Sequence, residues 1–243
     1  MAALLEVDRI AKSFGELRAV DSASFTVEDH SITALIGPNG SGKTTVFNMI
    51  TGYLSSDAGR VRFDGRDITG ASSGNLYRRG LTRTFQQARV FPRLTVEENL
   101  TVAAGYSWRQ LFGHRLGRAD RERVAVLLEE FRMSHVADLY ASELSYGQRK
   151  LLEFAAVLMS TPRLVLLDEP TAGVNPVMMA TMEHHIRERH AAGVTFLIVE
   201  HDMPFVMRLC DPVVVLDRGH EIFAGAPQAV QSDTRVLDAY LGS

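Results

Sequence analysis

GPNGSGKTT, residues Gly37 to Thr45, follows the apolar run Ile32-Thr33-Ala34-Leu35-Ile36 and opens into Val46, Phe47, Met49 and Ile50. The order is strand, glycine-rich loop, helix, and Gly37, Gly42, Lys43 and Thr44 fill the fixed positions of G-x-x-x-x-G-K-[ST]. Gly37, Gly40 and Gly42 carry no Cβ, so the backbone running through Pro38, Asn39 and Ser41 can curl with consecutive N–H groups pointing inward. A helix starting near Lys43 adds its positive dipole end to that concavity, which suits phosphate oxygens. Lys43 can reach β- and γ-phosphates, and the hydroxyl of Thr44, followed by Thr45, can coordinate Mg²⁺. The competing reading is an ordinary glycine turn before a core helix. Composition alone would place the four fixed residues in roughly one chain in a hundred of this length, and the strand and helix flanks make coincidence rarer. The loop is expected to bind a nucleoside triphosphate.

Outward from this loop, the chain has 243 residues, 46% apolar and 23% charged, which are values of a globular protein with a sizeable core. A net charge of −3 gives no electrostatic signature of nucleic-acid binding. A single cysteine, Cys210, excludes an intrachain disulfide. MAALLEVDRI has no signal-peptide pattern, and no run approaches the 18 or so apolar residues of a membrane span. The expectation is a soluble, cytosolic protein.

Before the loop, Leu4–Ile10 and Ala23–Val27 read as strands around a turn at Phe14-Gly15; after it come a strand Arg60–Phe63, a turn at Asp64-Gly65 and a helix near Asn75–Arg79. Leu81–Phe85 reads as a strand ended by Gln86 and Gln87. From Thr95 the pattern turns helical: Thr95-Val96-Glu97-Glu98 resembles a capping box, and Asp120–Phe131 and Ser145–Met159 carry apolar stripes. The stretch from about Val90 to Ser160 is expected to be an all-helical insertion. Leu164–Leu167 and Val194–Val199 are continuous apolar runs, as in strands buried on both faces, separated by a helix Pro176–His190. A helix Pro204–Leu209, a hairpin turning at Asp217–His220 and a helix Asp233–Leu241 complete an α/β chain with an antiparallel β portion and a helical subdomain. His184, His185 and His190 read as a solvated helix face, Arg115, Arg118, Arg121 and Arg123 as an exposed helix entry, and Met203, Phe205 and Met207 as packing.

The second anchor is LVLLDEP, Leu164 to Pro170. An apolar strand ending in Asp168 sets a carboxylate at the mouth of the sheet, where ligands of open α/β folds bind. Asp168 would hold Mg²⁺ directly or through water, and Glu169 could polarise the attacking water as general base. Between the anchors, LSYGQRK (Leu144 to Lys150) offers a serine hydroxyl and a glycine N–H at a helix start, a second anion site; a helix start with a serine cap is the simpler reading of that stretch alone.

Taken together, these residues resemble the ATP-binding-cassette (ABC) ATPase subunits, whose signature runs LSGGQ. Ser145, Gly147 and Gln148 match it, and Tyr146 replaces the first glycine. The resemblance covers nearly the whole chain and implies a single nucleotide-binding domain over residues 1–243, with the P-loop ATPase fold and a helical subdomain at about 90–160. It implies ATP and Mg²⁺ as cofactors and a head-to-tail dimer in which one subunit's signature closes over its partner's ATP. It further implies that Phe14 stacks on adenine, that Gln86 contacts Mg²⁺ and the lytic water (Gln87 is the neighbouring rival), and that His201 contacts the γ-phosphate. AGVNP, Ala172 to Pro176, matches the loop lining the dimer interface, with Asn175 where many relatives have aspartate.

Finer wording resembles the branched-chain amino acid importer group: RTFQ (Arg83–Gln86), VFPRLTVEENL (Val90–Leu100), LSYGQRKLLEFA, VEHDM (Val199–Met203) and the ending YLGS. The partners this implies are membrane permeases, a second ABC ATPase and an external solute-binding protein, with no nucleic acid, and a peripheral location on the cytoplasmic face of the cell membrane. Residues Gln86 to Leu100 would flank the groove for the permease's cytoplasmic helix, and the segment between Gly105 and Ala119 is short beside many of that group. Two alternatives stand: the ATPase of an exporter such as the lipopolysaccharide-extraction machinery, and a soluble ABC protein without a membrane partner.

Overall fold

A computed structural model describes residues 2–104 and 117–241. Met1, Arg115, most of the Gly105–Ala119 segment and the last two residues of YLGS lie outside the described residues. Strands β1 (Ala3–Phe14), β2 (Leu17–Glu28), β4 (Ala58–Phe63) and β5 (Arg66–Asp67) form an antiparallel sheet in the order β2-β1-β4-β5. The second sheet, ordered β10-β9-β3-β8-β7-β6, contains β3 (Ile32–Ile36), β6 (Leu81–Arg83), β7 (Leu164–Asp168), β8 (Thr195–Val199), β9 (Val213–Asp217) and β10 (His220–Gly225). Its strands run parallel except for β10, which returns antiparallel to β9 through a turn at Arg218-Gly219.

Every residue of β3, β7 and β8 is buried, and the pleat sends alternate side chains to opposite faces. Leu35, Leu164, Leu166, Leu197 and Leu216 join a core shared with the antiparallel sheet and helix α1 (Lys43–Ile50). Ala34, Ile36, Val165, Leu167, Phe196 and Ile198 join the opposite core with the helices. Those helices are α3 (Val96–Ala103), α4 (Arg118–Glu130), α5 (Tyr146–Leu158), α6 (Pro176–Ala191) and α7 (Met203–Leu209). Helices α2 (Ser73–Arg78), α8 (Pro227–Val230) and α9 (Thr234–Leu241) complete the described chain. The capping box expected at Thr95 is present: Glu98 N–H donates to Thr95 Oγ1 at 3.1 Å and Thr95 N–H to Glu98 Oε2 at 2.8 Å.

Three expectations need correction. The strand expected over Leu81–Phe85 ends at Arg83, because Phe85 N–H leaves the ladder to donate to the Glu153 carboxylate at 3.1 Å. The region between Val90 and Ser160 is not helical throughout, since it holds two short 3₁₀ turns and a strand-like bridge between Thr95 and Tyr140. His185 is not on a solvated face. It is 3% exposed, stacked on Phe131 with centroids 4.0 Å apart, and burial lowers its pKa; His184 stays exposed.

Candidate functional site

The loop from Gly37 to Gly42 leaves the central strand β3 and is walled by backbone from elsewhere. A Cβ on Gly37 (φ 151°) would stand 2.1 Å from the Leu216 carbonyl oxygen, and one on Gly42 (φ 99°) would stand 2.6 Å from that of Ala19. Both glycines are therefore required by close approach as well as by backbone angle. Gly42 is also the N-cap of α1, and no side chain caps that helix. The first-turn N–H groups are left to a ligand, which makes an anion site. The Lys43 ammonium bridges the loop, donating to the carbonyls of Gly37 and Pro38 at 2.8 Å each. Burial lowers its pKa, and the negative charges of Glu169 and Asp168 oppose that shift. Asn39, Gly40 and Thr44 are exposed, Thr45 is half-buried, and Ser41 is buried, its carbonyl accepting from Gly219 N–H at 2.9 Å.

Two parallel strands away, β7 ends in Asp168, which is buried. Its Oδ2 accepts from Arg83 Nη2 at 2.8 Å, and Arg83 Nη1 donates to Asn48 Oδ1 at 2.8 Å and Thr51 Oγ1 at 2.9 Å. Arg83 thus ties α1 and its C-cap, Thr51, to the acid at the strand end. Burial raises the Asp168 pKa, and the Arg83 charge pulls it back down. With Oδ2 engaged, any metal contact of Asp168 falls to its other oxygen or runs through water.

Glu169 turns the chain sharply. Its φ is 47°, an uncommon left-handed value for a residue with a side chain, while its N–H donates to Val199 O at 2.9 Å. The carboxylate meets the other two expected catalytic residues: Gln86 Nε2 donates to Oε2 at 2.9 Å, and His201 Nδ1 lies 4.0 Å from Oε1. Two residues from separate segments thus converge on the Glu169 carboxylate. Beneath them Glu200, only 1% exposed, accepts from Thr171 N–H and Oγ1 at 2.9 and 2.6 Å and from His201 N–H at 2.9 Å. Glu200 therefore fixes the backbone of both His201 and the loop after Glu169.

The signature segment starts α5. Ser145 Oγ accepts from Gln148 N–H at 3.3 Å and Gln148 Oε1 from Ser145 N–H at 2.9 Å, a complete capping box. A Cβ on Gly147 would meet Met178 at 3.3 Å. Tyr146, in place of the usual glycine, donates its hydroxyl to Gln86 O at 3.3 Å and packs against Gly173. Asn175 caps α6, its Oδ1 accepting from Met178 N–H at 2.9 Å. Phe14 ends β1 with 51% of its surface exposed, on the strand pair whose Ala19 and Val20 touch Gly42. The Lys12 ammonium lies over its ring, 5.9 Å from the centroid.

Residues the sequence reading passed over are Arg83, Lys150, Glu153 and Glu200. One signal was available for two of them: Lys150 and Glu153 interrupt a helix whose other residues from Leu151 to Ala155 are all apolar and buried. A charge in such a place has to be paired.

A phosphate loop and a carboxylate-ended strand on one parallel sheet, with polar groups gathered at the carboxyl ends of its strands, make this a P-loop nucleotide-binding protein. Comparison with known proteins narrows the class. The ABC transporter family profile matches residues 20–172. The branched-chain amino acid transport ATP-binding protein BraF of Pseudomonas aeruginosa is 38% identical, covering 98% of each chain. A probable LivG protein of Methanocaldococcus jannaschii is 39% identical over 98% of this chain and 97% of its own. The lipopolysaccharide export ATP-binding protein LptB of Haemophilus influenzae is 34% identical over 98% of this chain and 97% of its own. A nucleotide-free ATP-binding cassette of an ABC transporter superposes with a TM-score of 0.89 at 37% identity, covering all of both chains. Another cassette, in its ADP conformation, gives 0.85 at 38% identity, again covering all of both chains. The chain belongs to the ABC transporter family, as an ATPase of that family with its α/β fold. Among the described residues, no helix is long and apolar enough to cross a membrane.

Proposed function

We propose that this chain is the energy-coupling ATPase subunit of a membrane importer for branched-chain amino acids or related amino acids and amides. The observation that carries this reading is near-complete coverage at 38% and 39% identity by branched-chain amino acid transport ATP-binding proteins. The exporter reading has its own support in the 34% identity to LptB. Residues 1–243 would act as one nucleotide-binding domain, with the helical part at about 90–160.

In this reading Phe14 stacks on the base and Gly37 to Thr45 hold the phosphates. Glu169 takes a proton from water as the water oxygen bonds to the γ-phosphorus and the bond to the β-phosphate bridging oxygen breaks, with Gln86 and His201 placing the water and the γ-phosphate. The donor set suits Mg²⁺: the Thr44 hydroxyl, the Gln86 amide oxygen and the Asp168 carboxylate are hard oxygen ligands. The ion would neutralise phosphate charge. Ser145, Tyr146, Gly147 and Gln148 would face the nucleotide of a second ABC ATPase, a different chain or a second copy, in a head-to-tail pair.

The surface for docking to a permease is a cleft on the face that carries Tyr53. This cleft of about 440 Å³ is lined by Tyr53, Phe85, Arg89, Phe91 and Ala103 among others, and Tyr53, Arg89 and Phe91 are exposed. Apolar rings beside a cation suit a short amphipathic helix. The subunit would then sit peripherally on the cytoplasmic face of the cell membrane, reaching an external solute-binding protein only through the permeases. Gentle affinity purification from native membranes tests this. Two multi-span permeases and a second, distinct ABC ATPase travelling with the chain are expected. A lipid-exporter permease pair with this ATPase alone would replace import by export, and solely soluble partners would remove membrane coupling.

A further inference from the structure

Helix α5 carries a polar stripe of which two members, Lys150 and Glu153, have no part in the expected roles. Tyr146, Lys150 and Glu153 are spaced i, i+4, i+7, so they lie along one side of the helix. Each reaches a loop of the lytic site. The Tyr146 hydroxyl donates to Gln86 O at 3.3 Å. Lys150 Nζ donates to Glu169 O at 2.9 Å and sits 5.9 Å from the Tyr146 ring centroid. Glu153 Oε1 accepts from Phe85 N–H at 3.1 Å and Arg89 N–H at 3.0 Å, so a single oxygen pins the backbone on both sides of Gln86.

Lys150 and Glu153 are 2% and 4% exposed, and Glu153 Oε2 has no hydrogen-bond partner among the described residues. Burying such charges costs several kcal/mol, and apolar residues of similar volume are often as stable or more so. The stripe is thus costly as packing, and its contacts all go to the two segments that carry Gln86 and Glu169. Burial pushes the Glu153 carboxyl up to about 7, against the pull of its two N–H donors and of the Lys150 and Arg89 charges. A group held at that cost fits a positioning role better than a stabilising one.

We infer that Glu153 and Lys150 are positioning residues for ATP hydrolysis: Glu153 clamps the Gln86 loop, and Lys150 holds the Glu169 turn, both from the signature helix. The inference rests on the reading of Gln86 and Glu169 as the lytic pair. It also ties the backbone around both lytic residues to the helix that Ser145 caps, so a displacement of α5 at its N-terminus reaches Gln86 and Glu169 together.

The test uses the full chain with Mg-ATP, comparing kcat, KM, equilibrium ATP affinity and Tm. Glu153→Ala is expected to lower kcat about 10- to 100-fold, the effect of small misplacement in an active site, with ATP affinity unchanged within about twofold. Glu153→Gln should restore most of kcat, because its Oε1 still accepts both N–H groups. In a Gln86→Ala background, Glu153→Ala should cost less than about twofold more, since the residue it positions is gone. Lys150→Met gives an independent reading should Glu153→Ala not fold: kcat is expected to drop with ATP affinity retained. An unchanged kcat in Glu153→Ala and in Lys150→Met overturns the inference. So does equal damage from Glu153→Gln and Glu153→Ala, or full multiplication of the Glu153→Ala and Gln86→Ala effects. Full turnover in Gln86→Ala and Glu169→Gln would instead overturn the lytic reading itself, so the two failures are separable.

Discussion

Helices α1 and α5 both begin next to a glycine, yet their N-termini are finished in opposite ways. At α1 the N-cap is Gly42 in a left-handed conformation, no side chain caps the helix, and surrounding backbone leaves no room for a Cβ. At α5 the N-cap is Ser145, and Gln148 closes a reciprocal box. The first helix end leaves its donors open and has only a ligand to satisfy them. The second satisfies donors internally, and its serine oxygen already accepts from Gln148 N–H, so a ligand arriving there would meet the hydroxyl as a donor. The contrast teaches that glycine plus helix start is not one kind of site. One end stands open to an anion, the other is closed by its own side chains.

The largest effect expected from breaking this asymmetry lies at Glu169, the proposed general base. Glu169→Gln should lower single-turnover hydrolysis by ~10²–10⁴-fold while equilibrium ATP binding stays intact; undiminished hydrolysis would remove Glu169 as base. Next comes Lys43→Ala, expected to weaken ATP binding by ~10- to 100-fold, the loss of hydrogen bonds to a charged group, measured by titration. Comparable affinity in that variant would mean the open α1 end binds phosphate without its lysine.

A smaller, pH-dependent effect belongs to α5. The Glu153 carboxyl is raised from its ordinary 4.5 to about 7, so its contribution to stability is fully present below about 4.5 and lost as pH rises through about 7. Relative to Glu153→Gln, the wild-type chain should lose on the order of 2 kcal/mol of stability between about pH 5.5 and about pH 8.5, read from paired denaturation curves. A parallel pair of curves would place that carboxyl at an ordinary pKa. The smallest effect is Ser145→Ala, at about 1 kcal/mol for a lost cap. If unfolding free energy falls by that amount and hydrolysis in the paired ATPase falls much further, the capped end serves a nucleotide as well as its own helix. If hydrolysis follows stability alone, it is only a cap.

Much of this was legible in sequence because the signals are local. The phosphate loop, the runs Leu164–Leu167 and Thr195–Val199, and the Thr95 and Ser145 caps are each written within a few neighbouring residues. The Glu169 assignment came from its place at the end of the strand Leu164–Asp168, those of Gln86 and His201 from family resemblance, and the structure brings the three together. What stayed hidden depends on contacts distant in sequence. Arg83 reaches Asp168 across 85 positions and Glu153 reaches Phe85 across 68, so neither pairing leaves a mark in a local window. His185 looked solvent-facing among polar neighbours, but Phe131, on another element, covers it.

The place of β3 has a consequence for how this chain comes into being. The strand that launches the phosphate loop hydrogen-bonds to β8 and β9, both made more than 150 residues later, and Gly37 is walled by Leu216. A growing chain that has passed Thr45 but not yet Leu216 has the loop's residues without the loop's shape. Such long-range pairing is slow to close and exposes apolar strand in the meantime. Nucleotide binding is thus expected only once β9 has been made and paired with β3, and its onset during synthesis would mark the moment the last parallel strand is laid down.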